Sequence, residues 1–124
     1  MNQKGFATLE VILMVVVIGI LATIAVPRFE KITTQTNTSK VLSDLATINT
    51  ASAVYLMEKG AIPTYKQLKD GDYFENGAPQ EPSGKVLLNG TATDMTGKSY
   101  GVDGNGKATF DGNTADKFTV KSTE

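Results

Sequence analysis

One carboxylate inside an otherwise apolar run constrains what this chain can become. From Phe6 to Val26 the sequence reads FATLEVILMVVVIGILATIAV, apolar from Val11 to Val26 except for Gly19 and Thr23, with Glu10 near its outer end. At about 1.5 Å per residue a helix over this stretch would extend roughly 30 Å, close to the hydrocarbon thickness of a bilayer. The β-branched residues Val11, Ile12, Val15 to Ile18, Ile20 and Ile24 favour strand in water. Lipid overrides that preference, because a spanning segment must satisfy its backbone polar groups internally and a helix does so. Glu10 is then costly, by about 2.5 to 3.5 kcal/mol for a central carboxylate on insertion scales and less near an end. It calls for a polar or cationic partner.

Processing would create one. Met1 to Gly5, MNQKG, is a short polar leader with one basic residue, Lys4. Cleavage after Gly5 would place the ammonium of Phe6 one helical turn from Glu10. Gly5-Phe6, then Glu10, the unbroken apolar run, Gly19 within it and Pro27 at its end together resemble the N-terminus of type IV pilins and of the pseudopilins of type II secretion and competence systems. The resemblance covers Met1 to about Glu30. It implies that a prepilin peptidase cuts after Gly5 and methylates Phe6, and that Phe6, Glu10 and Pro27 serve assembly. It also implies a homo-oligomeric helical filament built by inner-membrane pilus assembly machinery. The subunit would reside in the inner (cytoplasmic) membrane before assembly and in an extracellular pilus afterwards.

Two plainer readings compete. A secretory signal peptide has a basic start, an apolar centre and small residues at its end, and Thr23-Ile24-Ala25 is a passable cleavage site. Lys4 to Glu10 is a poor match to its basic region, and the apolar run is long for it. A plain single-pass anchor fits the hydrophobicity but leaves Glu10 and Gly5-Phe6 unexplained.

Beyond the leader and the apolar run, roughly a hundred residues of the 124 remain, enough for one small domain. The formal net charge is −1 with both signs interspersed, so bulk electrostatics predicts no nucleic-acid binding and any DNA contact would be local. There is no Cys, His or Trp. Disulfides, thiolate metal sites, the Ser-His-Asp triad and most zinc chemistries are thereby removed. The lack of cysteine departs from the disulfide-stapled pilins of many Gram-negative bacteria and moves stability onto packing or a bound ion.

The expected organisation is a leader over 1–5, a transmembrane and filament-core helix over 6–27, and a globular domain over 28–124. That domain divides into a helix over 28–59, a connecting loop over 60–84 and a β-meander over 85–124. Pro27 predicts a kink or local melting of the helix, and Arg28, Phe29 and Lys31 suit a headgroup boundary. Thr33 to Ser39 has weak helix propensity and is read as a solvated part of one continuous helix. From Lys40 to Lys59, Val41, Leu42, Leu45, Ile48, Ser52, Tyr55 and Leu56 recur at spacings of three and four, which builds one core-facing side. Gly60 suits the end of that helix, and Pro63 prevents its continuation.

Thr64 and Gln67 form a capping box for a short helix over Tyr65 to about Lys69, with Leu68, Tyr73 and Phe74 as anchors. Val86 to Leu88, Ser99 to Val102, Lys107 to Phe110 and Lys117 to Val120 read as strands, and Asp103 to Gly106 as the clearest hairpin turn. Leu87, Tyr100, Val102, Phe110, Phe118 and Val120 are the expected core residues. The fold class is α+β and pilin-like: a long N-terminal helix, apolar then amphipathic, on a small C-terminal antiparallel sheet.

Few other constellations carry chemistry. Asp103, Asn105, Asp111 and Asp116 supply oxygens suited to Ca²⁺, and major pseudopilins bind calcium in this region, but the spacing is not that of an EF-hand. Turn chemistry accounts for the same residues without a cofactor. Asn37-Thr38-Ser39 and Asn89-Gly90-Thr91 match a glycosylation pattern that arises easily by chance. Asp70, Asp72 and Glu75 lack a partner base and read as a solvated loop. No constellation supports an enzyme.

The sequence thus points to a structural filament subunit, a major pilin for adhesion, motility or DNA uptake. A secretion or competence pseudopilin and a membrane-tethered or secreted ligand-binding domain are the alternatives. A bulky replacement at Gly5 is expected to leave an unprocessed chain; normal trimming by intact-mass measurement would rule out the cleavage assignment.

Overall fold

The computed structural model describes residues 3–121, without the side chains of residues 3, 26 and 27. Met1 and Asn2 of the expected leader lie outside the described residues. Helix α1 spans Gln3–Lys59 and α2 spans Tyr65–Asp70. Five strands follow: β1 Lys85–Leu88, β2 Thr91–Asp94, β3 Tyr100–Val102, β4 Ala108–Phe110 and β5 Asn113–Thr114, with a 3₁₀ turn over Ala115–Lys117. The chain divides after Ile32 into two compact units.

In the first unit the helix continues through Pro27, so the local melting expected there does not occur. A proline deletes one backbone hydrogen bond, and the neighbouring turns keep theirs.

In the second unit, Val41, Leu45 and Ile48 are fully buried, with Ala51 and Ser52 beside them. The stripe reaches further back than apolar residues mark, because Thr34 and Thr38 are buried as well. It also stops earlier than expected. Leu56 is 47% exposed. The Ser52 hydroxyl donates to the Gly106 carbonyl at 2.8 Å, at the tip of the β3–β4 hairpin, and Leu56 lies one turn past that contact.

Gly60 closes the helix at φ +68, its N–H bonding the Leu56 carbonyl at 2.8 Å. The Thr64–Gln67 capping box starts α2, which seats Leu68 in the core.

The C-terminal region is two small antiparallel sheets, β1-β2 and β3-β4-β5, where one meander was expected. Strand β2, TATD, carries no large apolar residue and so has no strand signal of its own. Its hairpin is nonetheless explicit, with Asn89 at φ +54 and Gly90 at φ +82 as the two-residue turn from Leu88 to Thr91. Asp111 and Gly112 repeat the device between β4 and the unforeseen β5.

Lys117 to Val120 is not a strand. It makes one bridge, Leu88 to Phe118, and Val120 is 42% exposed. A longer ladder would need the Leu87 N–H and the Lys85 carbonyl, and α1 holds both: Leu87 N donates to Thr38 Oγ1 at 2.8 Å, and Asn37 Nδ2 donates to Lys85 O at 3.2 Å.

The core forms between the helix and these sheets. Tyr100, Phe110 and Phe118 pack in series, the first pair tilted and the second stacked, with ring centroids 4.9 and 6.2 Å apart. Val102 is half-buried. Val86 and Leu87 are both buried although adjacent strand residues face opposite ways, so β1 is covered on both sides. Asn49 Oδ1 accepts from Ala108 N at 2.7 Å, so the β3–β4 hairpin is bound to the helix as β1 is.

Thr38→Val keeps the shape but strands the buried Leu87 amide, a loss of about 1 to 3 kcal/mol. Thr38→Ser should lose much less, and urea unfolding of both variants measures the difference.

Candidate functional site

The apolar half of α1 is the feature the domain's own packing does not use. Every described side chain from Lys4 to Ala25 is exposed, including Phe6 at 63% and Ile18 at 65%. A soluble domain does not leave so continuous an apolar surface to water. By length and composition the helix can cross a membrane.

Its few polar side chains suit that setting. The Thr8 hydroxyl donates to the Lys4 carbonyl at 2.8 Å and the Thr23 hydroxyl to the Ile20 carbonyl at 2.7 Å, so neither needs a partner outside the helix. Gly19 leaves room, since a Cβ there would meet nothing within 4 Å. A second helix can approach closely at such a position.

Glu10 differs. Among the described residues it has no hydrogen-bond or ion-pair partner. Phe6 and Glu10, four residues apart, share one helix face. Gly5 lies in the same helix, immediately before Phe6. The backbone of Pro27 is helical, and its side chain lies outside the described residues.

Of the four calcium candidates, Asp103, Asp111 and Asp116 have side-chain contacts of their own, and Asn105 lies in the turn that Asp103 builds. Asp103 Oδ1 accepts from the backbone N–H groups of Asn105 and Lys107, both at 2.9 Å, which builds the hairpin turn. Asp111 sits 4.0 Å from Lys98 Nζ, and Asp116 accepts from the Thr114 hydroxyl, which holds its carboxyl below the usual range. Among the described residues no group of three acidic side chains is placed to hold a metal ion.

One polar cluster has no counterpart in the sequence reading. Lys40 Nζ lies 2.5 Å from Asp44 Oδ2, which also accepts from the Tyr100 hydroxyl at 2.6 Å. Glu81 Oε1 accepts from Tyr100 N at 3.1 Å. Burial, then Glu81 and Asp44, pushes the Tyr65 phenol from 10.0 up to about 12; burial, then the Asp44 hydrogen bond, pushes Tyr100 higher still. Only the four-residue spacing of Lys40 and Asp44 hinted at this cluster.

An apolar helix long enough to cross a membrane, with a lone carboxylate, joined in sequence to an amphipathic helix and two small sheets, defines a class of α+β proteins with a membrane-length N-terminal helix. Known proteins make it specific. The chain is 40% identical over 68 residues to the type IV narrow pilus major component PilA5 of Thermus thermophilus, covering 55% of this chain and 59% of that protein. It is 33% identical over 89 residues to a fimbrial protein of Pseudomonas aeruginosa, covering 69% and 58%. It is 28% identical over 123 residues to the type II secretion system core protein G of Aeromonas hydrophila, covering 83% and 85%. The chain therefore spans less than three fifths of the length of the first two relatives. No family model and no solved structure matches. The chain belongs to the family of type IV pilins and type II secretion pseudopilins.

The two tyrosines give the domain an alkaline limit. Between pH 10.0 and about 12 the unfolded chain ionises Tyr65 while the folded chain keeps it neutral, so stability present below pH 10.0 is lost as pH rises through that window. Tyr100 adds to the loss in the same direction. Replacing both with Phe should flatten the fall, as read by urea unfolding across that pH range.

Proposed function

We propose that this protein is a structural subunit of a type IV pilus-like filament, a major pilin, which polymerises through its N-terminal helix. The observation that carries the reading is the exposed, largely apolar surface from Lys4 to Ala25 on which Glu10 has no partner among the described residues. Lipid covers such a surface in the membrane; copies of the same helix cover it in a polymer.

Cleavage after Gly5 and methylation of Phe6 by a prepilin peptidase give each copy an ammonium one turn from its own carboxylate. The ammonium of one subunit offsets Glu10 of another and fixes an axial register that apolar packing alone leaves open. Pro27 belongs to the same assembly segment. A head-to-tail contact of this kind does not close on itself and generates a helical polymer. The role is structural, without catalysis or a resident cofactor. The subunit waits in the cytoplasmic membrane, is handled by pilus assembly machinery, and ends in an extracellular filament for adhesion, motility or DNA uptake.

A secretion pseudopilin is the second reading, favoured by the match to core protein G over most of both chains. Imaging of filaments from expressing cells separates long surface pili from short periplasm-spanning assemblies.

Glu10→Val should preserve membrane insertion and trimming after Gly5 but abolish or sharply reduce filaments, scored by electron microscopy and intact mass on the same cells. Normal filaments from that variant would refute the assembly role.

A further inference from the structure

The segment from Glu75 to Gly84 lies over the domain without belonging to either sheet. Among the described residues, the only backbone–backbone hydrogen bonds of residues 75–84 are at its ends, Gly77 N to Phe74 O at 3.2 Å and Met95 N to Gly84 O at 2.9 Å. Its middle contains Pro79 and Pro82, which have no N–H to offer. Side chains hold it instead. Lys40 Nζ donates to the Gln80 carbonyl, Glu81 Oε1 accepts from Tyr100 N, and Asn37 Nδ2 donates to the Ser83 carbonyl at 3.2 Å. Ala78 packs against the core and Pro82 is buried. Gly77 at φ +83 and Gly84 at φ +105 stand near its two ends, where they can act as hinges.

The charges make Lys40 the decisive contact. Asp44 on α1 and Glu81 on the segment both face Tyr65 of α2 and Tyr100 of β3, and both carboxylates raise these phenols. Among the described residues, Lys40 is the cation in salt-bridge contact with either carboxylate. Lys40 Nζ thus joins a carboxylate of the helix to a backbone carbonyl of the segment.

We infer that residues 75–84 form a strap that opens as a unit on its glycine hinges, and that Lys40 is the latch that keeps it closed. Lys40 ties the helix to the strap through Asp44 and the Gln80 carbonyl. Opening uncovers Tyr65 and Tyr100 while α1 and the sheets stay folded.

The chain has no cysteine, so a single nitroxide can be placed at Gln80→Cys, whose side chain is exposed, and a control at Ala46→Cys on the exposed face of α1. In the full chain in detergent micelles, Lys40→Met should raise the ratio of mobile to immobile spectral component at position 80 about tenfold, the weight of a charge-assisted hydrogen-bond set. Position 46 should not change. Lys40→Arg should stay closed. An immobile label at position 80 in Lys40→Met overturns the latch. Equal loosening at positions 80 and 46, or a mobile label at position 80 in Lys40→Arg, overturns it as well.

Discussion

Backbone amides and carbonyls must find partners wherever water is excluded, and this chain meets that demand in two ways. In the membrane-length half of α1 every bond is made within the helix, and even Thr8 and Thr23 turn their hydroxyls back onto it. In the domain the strands are two to four residues long and cannot satisfy one another. The helix supplies what they lack. Asn37 and Thr38 close the open edge of β1, Asn49 takes the Ala108 amide and Ser52 binds the Gly106 carbonyl. Polar side chains on a helix thus do the work that further strands do in a larger sheet. Burial of Thr38 follows from this need, since an apolar residue there would leave the Leu87 amide without an acceptor.

The same constraint explains why stability does not require a disulfide. Each helix-to-sheet hydrogen bond joins positions about fifty residues apart in sequence, such as Thr38 with Leu87 and Asn49 with Ala108. They work with the aromatic series Tyr100, Phe110 and Phe118 over Val41, Leu45 and Ile48. What the domain's packing leaves unanswered is the apolar half of α1, whose surface is complete for lipid and incomplete for water. Among the described residues Glu10 has no partner, and in the proposed assembly a second copy of the chain offers it a counter-charge. On the proposed function one segment serves two environments in turn, and its single carboxylate is matched to the second.

Much of this was legible from residues alone, for physical reasons that can be named. The membrane-length run, Glu10, the helix to Lys59, the Thr64–Gln67 box and the Asp103–Gly106 turn are local signals, set by spacing or by a few adjacent residues. What escaped depended on distant partners. Thr34 and Thr38 look like solvated helix residues until a strand edge is placed against them. Val120 looks like a core residue until that edge is seen to be occupied, and Leu56 until the hairpin is seen to end at Ser52. TATD looks like a loop because strand β2 gains its place from the Asn89-Gly90 turn and from pairing with β1. The Lys40, Asp44, Tyr100 and Glu81 cluster is drawn from four separate segments, so no window of sequence contains it. For the proposed processing and assembly residues, position in the motif spoke for Gly5, Phe6 and Glu10, while the structure adds that Glu10 is exposed and, among the described residues, without a partner.

The pairing of Phe6 with Glu10 between subunits is the claim on which the functional reading turns. Filaments grown from an equal mixture of ¹⁴N- and ¹⁵N-labelled chains can be treated with a zero-length carbodiimide, which joins an amine to a carboxylate only where the two touch. Mass spectrometry of the linked N-terminal peptides then distinguishes links within one chain from links between chains. Assembly through this pair predicts linked peptides of hybrid isotope mass, present in filaments and absent from detergent-solubilised monomers. Links of single-isotope mass alone, or none in well-formed filaments, would contradict it.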